Sequence, residues 1–352
     1  MQLAIPFMQF RGGSSKGLYF LADDLPSDPN ERDQILLAAV GRDARQIDGL
    51  GGAHPLTSKV AVVSRSNRAD ADVDFLFVQV VVGENRVDTT PNCGNILAGV
   101  GPFAVEAGLV AVQGDTTVVR VYMVNSENLC ELTIQTPDGR ITYEGNATID
   151  GAPNSSAPII CNYLDVAGSI CGALLPTGNS QDVIEGVAVT CIDNGMPVVL
   201  INAQALGKTG YETCAELTQD QVFRSKLEAI RLQAGRLMNL GDVTKKVVPK
   251  MTLIAPPQQG GNISTRTFIP HTCHDAIGVL GAVSVATACL VPHSVAQDVA
   301  IIPSGNPKHL SVEHPSGEFS VALEQDAHDH VIKAGLLRTA RLLSRGEVYV
   351  IV

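Results

Sequence analysis

Apolar residues along this chain occur mostly in short runs separated by turns of glycine, asparagine and proline, a pattern typical of strands. The run VDFLFVQVVV at 73–82 is rich in Val and Phe and too short for an ordinary helix, so it predicts a strand. The segment AIPFMQF near the start is also strand-like. Further strands are predicted for KVAVVSRS, TVVRVYMV, LTIQTP, ITYEGNATI and VTCIDN.

Apolar residues recur at helical spacing in fewer segments, namely ERDQILLAAVG from Glu31, 96–108, 219–238 and 274–290. The sequence at 96–110 has no polar face, so it predicts a buried helix. PNCGNILAGVGPFAVEAGL is echoed by PHTCHDAIGVLGAVSVATACL, each with a cysteine opening a small-residue helix. We therefore predict two mixed-sheet domains, each wrapped around a central helix, with both helix starts facing one cleft.

The length of 352 residues is enough for two domains. We place them at 1–185 and 186–337, with a C-terminal tail at about 338–352 that returns to the first domain. With 45% hydrophobic residues the chain can bury a substantial core. Its net charge of −11 argues against nucleic acid or an anionic membrane as a partner.

The start of the chain lacks the pattern of a signal peptide, and no apolar stretch reaches the length of a membrane span, so we expect a cytoplasmic protein. The eight cysteines include no CxxC pair. They are therefore expected to be reduced thiols, and neither a disulfide framework nor a metal site is expected.

Cys93 lies in PNCGN, between a predicted strand and a predicted helix. At a helix start the positive end of the dipole favours a thiolate and binds anions. Asn92 is predicted as the N-cap, and Gly94 would let a ligand approach the backbone. Packing is the alternative, since free cysteines are commonly buried.

Two further motifs have the composition of an anion site. RGGSSKG at 11–17 offers glycines, hydroxyls and two cations but lacks the order of a phosphate loop, so it is either a carboxylate-binding turn or an ordinary solvated turn. Lys59 stands at the entrance of an apolar strand, where lysine is usually a solvated gatekeeper. Partial burial would make it available as a general base.

Two motifs in the second half are also candidates. CIDNGMPVVLI at 191–201 predicts a tight turn whose amides either face a ligand or form only a turn. His271 and His274 flank Cys273, but core or capping roles fit better than metal binding, because other ligands do not cluster nearby.

RGGSSKG, DGLGG with LTSKVAVVS, PNCGN, CIDNGMPVV, GDV with VPK, PHTCH and VEHPSGE occur in this order along the chain. In these motifs the chain resembles, over nearly its whole length, the cofactor-independent methylaconitate isomerase family. Ser14 is a departure from the family's more frequent RGGTSKG that keeps the hydroxyl. The resemblance implies an α+β, diaminopimelate epimerase-like fold, two pseudo-symmetric domains with the active site in the cleft between them, and no cofactor or metal.

The resemblance further implies that Lys59 and Cys93 are the catalytic acid–base pair, acting on a small anionic di- or tricarboxylic acid. Through CGALLPTGNS, CIDNGMPVVL and GAVSVATACL the chain is most similar to family members that isomerise 4-oxalomesaconate in gallate and related aromatic degradation. The expected reaction is keto-to-enol conversion to 4-carboxy-2-hydroxymuconate or a 1,3-allylic proton shift. The candidate substrate-binding residues are Arg11, Gly12, Gly13, Ser14, Ser15, Lys16, Thr57, Ser58, Asn92, Gly94, Asn95, Asn194, Gly195, Met196, His271 and Cys273.

Two alternatives stay open. One is an isomerase of 2-methylaconitate or aconitate, since sequence does not choose among unsaturated tri-acids. The other is a two-thiol amino-acid racemase that uses Cys93 and Cys273 and does not need Lys59. The oligomeric state is also open, with a homodimer as the simplest assembly.

Overall fold

The structure is a computed structural model that describes residues 2–89, 92–164, 166–328 and 331–351. Contacts between Cα atoms divide the chain into two compact units. Unit 1 is Met1–Leu164 with Leu337–Val352, and unit 2 is Asp165–Leu336. Compact units need not coincide with independently folding domains, so the domain boundaries given above stay a prediction.

Among its described residues, unit 1 has two α-helices, and most of its strands lie before residue 164. The helices are α1 (Pro29–Val40) and α2 (Gly94–Glu106). The strands are β1 (Leu3–Gly12), β2 (Ser15–Leu21), β3 (Lys59–Arg65), β4 (Val73–Val80), β5 (Val87–Asp88), β6 (Thr116–Met123), β7 (Asn128–Gln135) and β8 (Pro158–Tyr163).

In the part of unit 2 that the structure describes there are three α-helices and the remaining strands. The helices are α3 (Cys214–Gln219), α4 (Gln221–Leu237) and α5 (Val279–Leu290). The strands are β9 (Asp182–Ile184), β10 (Val187–Asp193), β11 (Pro197–Asn202), β12 (Lys250–Ala255), β13 (Ile263–Ile269), β14 (Thr272–Cys273), β15 (Lys308–His314), β16 (Gly317–Gln325) and β17 (Val331–Val350), of which β17 contributes its later residues to unit 1.

The sheet of unit 1 is mixed and encloses α2. β17, β1 and β2 are antiparallel neighbours, β2 and β3 are parallel, and β3 and β4 are antiparallel. β4 pairs in parallel with β6, which continues antiparallel to β7 and β8. Because β8 also pairs with β17, the strands close around the helix. Residues 96–104 of α2 are all buried, which explains why this helix has no polar face.

The outer face of the same sheet carries α1. Leu36 and Val40 of α1 pack with Leu18, Val60 and Val78 in one buried cluster. Residues alternate between the two faces of each strand, so the neighbours of Val60 and Val78 face α2 instead. This alternation decides which polar side chains lie near the start of α2.

The sheet of unit 2 is also mixed. β9, β10 and β11 are antiparallel, β11 and β12 are parallel, and β12 and β13 are antiparallel. β13 pairs with β14 and in parallel with β15, which continues to β16 and β17. α5 is buried along 281–290 and contacts β10, β11, β15 and β16, whereas α3 and α4 pack on a separate cluster.

Two element predictions need correction. ITYEGNATI forms no strand and has only an isolated bridge between Ala147 and Ser156, and Gly145 lies against the backbone of Ala157. The helix predicted at 274–290 begins at Val279. The helix predicted at 219–238 is found as α4, and the separate helix α3 precedes it. Within the described ranges, no helix is long and apolar enough to cross a membrane.

Candidate active site

Lys59 and Cys93 lie side by side in unit 1. Lys59 is the first residue of β3, and Cys93 directly precedes α2. The Lys59 Nζ atom lies 3.6 Å from the Cys93 Sγ atom and 5.1 Å from the centre of the Phe77 ring. Both side chains are half-buried. An amine and a thiol at this distance can exchange a proton or act on one small substrate together.

Gln79 is the third member of this group. It stands directly opposite Lys59 in the β3–β4 register, and its Oε1 atom accepts a hydrogen bond from Lys59 Nζ at 3.1 Å. Its Nε2 atom, with two N–H donors, lies within hydrogen-bond distance of the carbonyl oxygens of Ser58 at 2.9 Å, Val80 at 3.1 Å and Pro55 at 3.1 Å. The amide therefore has one orientation that satisfies all of these neighbours.

Cys93 occupies the N-cap position of α2, which corrects the prediction that Asn92 is the N-cap. The Cys93 side chain makes no capping hydrogen bond to the helix. Asn92 accepts instead from the Cys93 N–H at 2.8 Å, and its amide donates to Ser126 Oγ at 3.0 Å. The backbone N–H groups of the first turn, beginning at Gly94, are thus not bonded by the N-cap residue, which is the usual condition for anion binding. Pro91 of the same motif lies outside the described residues.

The RGGSSKG loop packs against the first turn of α2. Asn95 Nδ2 donates to Ser14 Oγ at 3.0 Å and lies 3.5 Å from Ser15 Oγ. Gly13 has a φ of +53°, and a Cβ atom added there would collide with the side-chain oxygen of Asn95. A Cβ atom on Gly12 would collide with the Asn95 carbonyl. Glycine is therefore required for this close approach.

Tyr19 fixes the same turn from inside the unit. Its hydroxyl donates to the Ile96 carbonyl at 2.6 Å, and its ring packs between Phe10 and Phe103. Burial, and secondarily its electrostatic interaction with the nearby Cys93 side chain, raises the pKa of Tyr19 well above its usual value. Tyr19 consequently stays a neutral donor that holds the start of α2.

Arg11 and Lys16 are not brought together with Cys93. They oppose each other in the β1–β2 register and, by alternation, lie on the sheet face opposite to that of Tyr19. The Arg11 guanidinium donates to Thr339 Oγ1 and Ser156 Oγ, both at 2.9 Å. It thus ties the loop to neighbouring chain segments, and its role in substrate binding stays a prediction.

Thr57 and Ser58 precede Lys59 in a short turn. The Ser58 hydroxyl is fully buried and lies 2.8 Å from both Gln46 Oε1 and the His54 carbonyl. Thr57 Oγ1 also contacts the His54 carbonyl, at 3.2 Å. Both side chains hold the turn from which Lys59 emerges.

The candidates Asn194, Gly195 and Met196 form the β10–β11 turn of unit 2. Asn194 Nδ2 donates to Thr287 Oγ1 at 2.9 Å, and the Asn194 N–H donates to Ser284 Oγ at 3.1 Å. The Ser284 hydroxyl donates in turn to the Met196 carbonyl at 2.8 Å. Gly195 has a φ of +85°, as a tight turn requires. The turn is therefore fastened to α5.

His271 and Cys273 have different environments within unit 2. The His271 ring is exposed, with its Nδ1 atom 3.5 Å from Glu228 Oε2. Cys273 is only 5% exposed, and it lies in β14, where it pairs with Phe268 of β13. It does not lie at a helix start, because α5 begins six residues later. Burial raises the pKa of the Cys273 thiol.

Sequence reasoning missed Gln79, Tyr19 and Ser284. Gln79 carried a signal, because it is a polar residue within the apolar run at 73–82. Tyr19 and Ser284 carried none, since their partners lie far away along the chain. Across the ranges that the structure describes, no three His, Cys, Asp or Glu side chains are grouped to hold a metal ion.

An amine and a thiol beside a helix start that its N-cap side chain does not bond define a site for acid–base chemistry on an anion. Comparison with known proteins agrees with this class. The family described as PrpF protein matches residues 2–351, so the chain belongs to the PrpF family. The family relationship inferred from the motifs is confirmed.

Three relatives are informative. The chain is 57% identical over 348 residues to a Pseudomonas putida protein named 4-oxalomesaconate tautomerase, covering 99% of this chain and 96% of the relative. It is 57% identical to a Novosphingobium protein named (4E)-oxalomesaconate Delta-isomerase, covering 98% and 97%. A crystal structure of methylitaconate-delta-isomerase superposes with a TM-score of 0.88 at 31% identity, covering 99% of this chain and 96% of the other. The predicted α+β fold class is confirmed.

Proposed function

We propose that this protein is an isomerase that interconverts tautomers of 4-oxalomesaconate, from the keto acid to the enol 4-carboxy-2-hydroxymuconate or by a 1,3-allylic proton shift. The observation that carries the proposal is the 3.6 Å contact between Lys59 Nζ and Cys93 Sγ at the start of α2. It occurs in a chain 57% identical over nearly its full length to relatives with this named activity.

The reaction needs one proton removed next to a carbonyl and one returned at another atom of the conjugated system. We assign removal to the neutral amine of Lys59, which becomes an ammonium, and return to the thiol of Cys93, which becomes a thiolate. A proton passing from Lys59 to Cys93 across their contact restores both groups. The N–H groups of the α2 start stabilise the negative charge of the dienolate between these steps.

The proton balance of this scheme closes without a redox step, so it needs no redox cofactor, and the scheme uses no metal. The substrate is a small anion with two or three carboxylates, and neither nucleic acid nor membrane is a partner. We place this reaction in gallate-type aromatic degradation in the cytoplasm. We further propose that the protein is a homodimer. These elements of the proposal rest on the resemblance and on composition.

Other tri-acids are the nearest alternative substrates, because 2-methylaconitate and aconitate differ from 4-oxalomesaconate in few contacts. The two-thiol racemase is less well supported. Its second thiol, Cys273, is 5% exposed and belongs to a buried cluster with Phe223 and Phe268, where burial raises the pKa of the thiol.

An absorbance screen of the purified protein tests the proposal. The substrates are 4-oxalomesaconate, 2-methylaconitate and the aconitates, each with and without a chelator. A spectral change with 4-oxalomesaconate that the chelator does not affect is expected. Turnover of an aconitate alone would show that the substrate is that aconitate and not 4-oxalomesaconate. Activity lost on chelation and restored by a divalent ion would contradict the metal-free scheme.

A further inference from the structure

Gln79 lies between the Lys59 amine and a group of backbone carbonyls, and its amide is held from both sides. Its Oε1 atom accepts from Lys59 Nζ at 3.1 Å, while Nε2 points at the Ser58 carbonyl, 2.9 Å away, and at two further carbonyls. If the amide were reversed, its oxygen would face carbonyl oxygens and its nitrogen would face an amine. The oxygen is therefore directed at Lys59.

We propose that Gln79 is a positioning residue for proton transfer, which aims the lone pair of the Lys59 amine and does so without holding a proton on it. The inference rests on the proposed function and deepens it.

A neutral amine has two N–H donors and one lone pair in three staggered positions. When one N–H is held in place, the lone pair is restricted to the two remaining positions. Gln79 Oε1 takes that N–H on the side of β4. The Phe77 ring covers a second side at 5.1 Å. The remaining side of Nζ faces Cys93, whose Sγ atom lies 3.6 Å away, so this is the direction left for the lone pair of the neutral amine.

The neutrality of the amide is the second part of the inference. A glutamate in the same place would accept the same hydrogen bond but would favour the ammonium, because an adjacent opposite charge stabilises the charged form. An amide orients the amine in the same way but favours the ammonium less than a carboxylate does, so proton loss is easier. A general base needs both conditions.

Two titratable groups face Lys59 from the neighbouring elements, and a third neighbouring element contributes none. Cys93 faces it from the start of α2, and Asp88 of β5 stands opposite Gln79 in the β4–β5 register on the same sheet face. β2 presents Gly17, which has no side chain, at the position paired with Lys59. A carboxylate at position 79 would therefore be the nearest new charge.

The test compares Q79E with wild type and with Q135E, which makes the same change in β7 of the same unit. Circular dichroism establishes that each variant is folded. The acidic limb of the kcat profile of Q79E should move to higher pH by about one unit or more, with activity at neutral pH about tenfold lower and recovered at high pH. Q135E should match wild type.

A Q79E profile that superposes on that of wild type would overturn the inference. Should Q79E not fold, Q79M decides, because it removes the acceptor but keeps the volume. For Q79M we expect kcat to fall about tenfold while KM stays within about twofold of the wild-type value. An unchanged kcat would also contradict the proposed role of Gln79.

Failure of the proposed function can be separated from failure of this inference. Modification of Lys59 by trinitrobenzenesulfonate requires the neutral amine and no substrate, and peptide mapping measures its rate at each pH. In Q79E the pH dependence of this modification should shift upward even if 4-oxalomesaconate is not the substrate. If the wild-type protein turns over 4-oxalomesaconate but the labelling profile of Q79E is not shifted, only the role of Gln79 is rejected and the proposed function stands.

Discussion

At the scale of single residues, the site depends on polar side chains at positions where strand alternation directs them toward α2. Lys59 at a strand entrance resembles a solvated gatekeeper when it is read alone, and only the half-buried contact with Cys93 distinguishes it. Gln79 could have been noticed as a polar residue in an apolar run, but its pairing with Lys59 depends on the β3–β4 register. The sequence does not contain that register.

Cys93 should react with iodoacetamide faster than any other cysteine, and substrate should protect it. Burial raises the pKa of the Cys161, Cys171, Cys191 and Cys289 thiols to about 12. Cys214 is the matched control, because it is half-exposed like Cys93 but burial raises the pKa of its thiol.

Peptide mapping after timed alkylation measures each cysteine. Cys93 is expected to be labelled about tenfold or more faster than Cys214, as the thiolate is the reactive form. Labelling of Cys214 at the same rate, or no protection by substrate, would show that the wrong thiol has been assigned.

At the scale of elements, the apolar small-residue helices were predictable, whereas their starts were not. The segment 274–278 was expected to be helical, but the His274 ring accepts the Ala276 N–H at 2.8 Å and closes a local turn that competes with the helix. α5 therefore begins at Val279 after Gly278. The start of α2 instead depends on Asn95 packing against two glycines of a distant loop, which no local pattern reveals.

Gly13→Ala should destabilise the protein more than Gly108→Ala does. Both glycines have positive φ, +53° and +73°, so alanine at either costs about 1–2 kcal/mol in backbone strain. Only at Gly13 would the new Cβ atom also collide with Asn95, since nothing lies within 4 Å at Gly108. We expect an additional loss of about 1–3 kcal/mol for Gly13→Ala.

Urea unfolding of the two variants measures this difference, and a kcat assay shows whether the α2 start is disturbed. Equal destabilisation would mean that the loop and the helix start are not packed as described. Normal activity in Gly13→Ala would indicate that this loop has no part in the site.

At the scale of the whole molecule, the first strand of the chain is hydrogen-bonded to the last. β1 pairs with β17 from Leu3 opposite Val350 to Gly12 opposite Ala340. The mixed sheets and enclosed helices were predictable from short apolar runs and two small-residue helices. The strand pairings were not, because partners more than three hundred residues apart leave no local signal.

Removing residues 337–352 should prevent unit 1 from folding. β1 would lose its β17 partner, and Arg11 would lose Thr339 as an acceptor. A chain that lacks only residues 351 and 352 keeps every β1–β17 pair and is the control. Circular dichroism and activity should be lost in the first chain and retained in the second. If the chain that lacks residues 337–352 unfolded cooperatively, as the intact protein does, the described pairing of β1 with β17 would be contradicted.

The most direct test of the central claim follows the exchange of the acidic C–H of 4-oxalomesaconate with deuterium from solvent by NMR. Lys59→Met keeps the volume of the side chain but removes the amine, so exchange and kcat should fall by about 10²–10⁴-fold. Lys308→Met, which changes another strand-opening lysine, and Cys273→Ser should both exchange nearly as wild type does. Near-normal exchange in Lys59→Met together with its loss in Cys273→Ser would contradict the lysine-base account and favour the two-thiol mechanism.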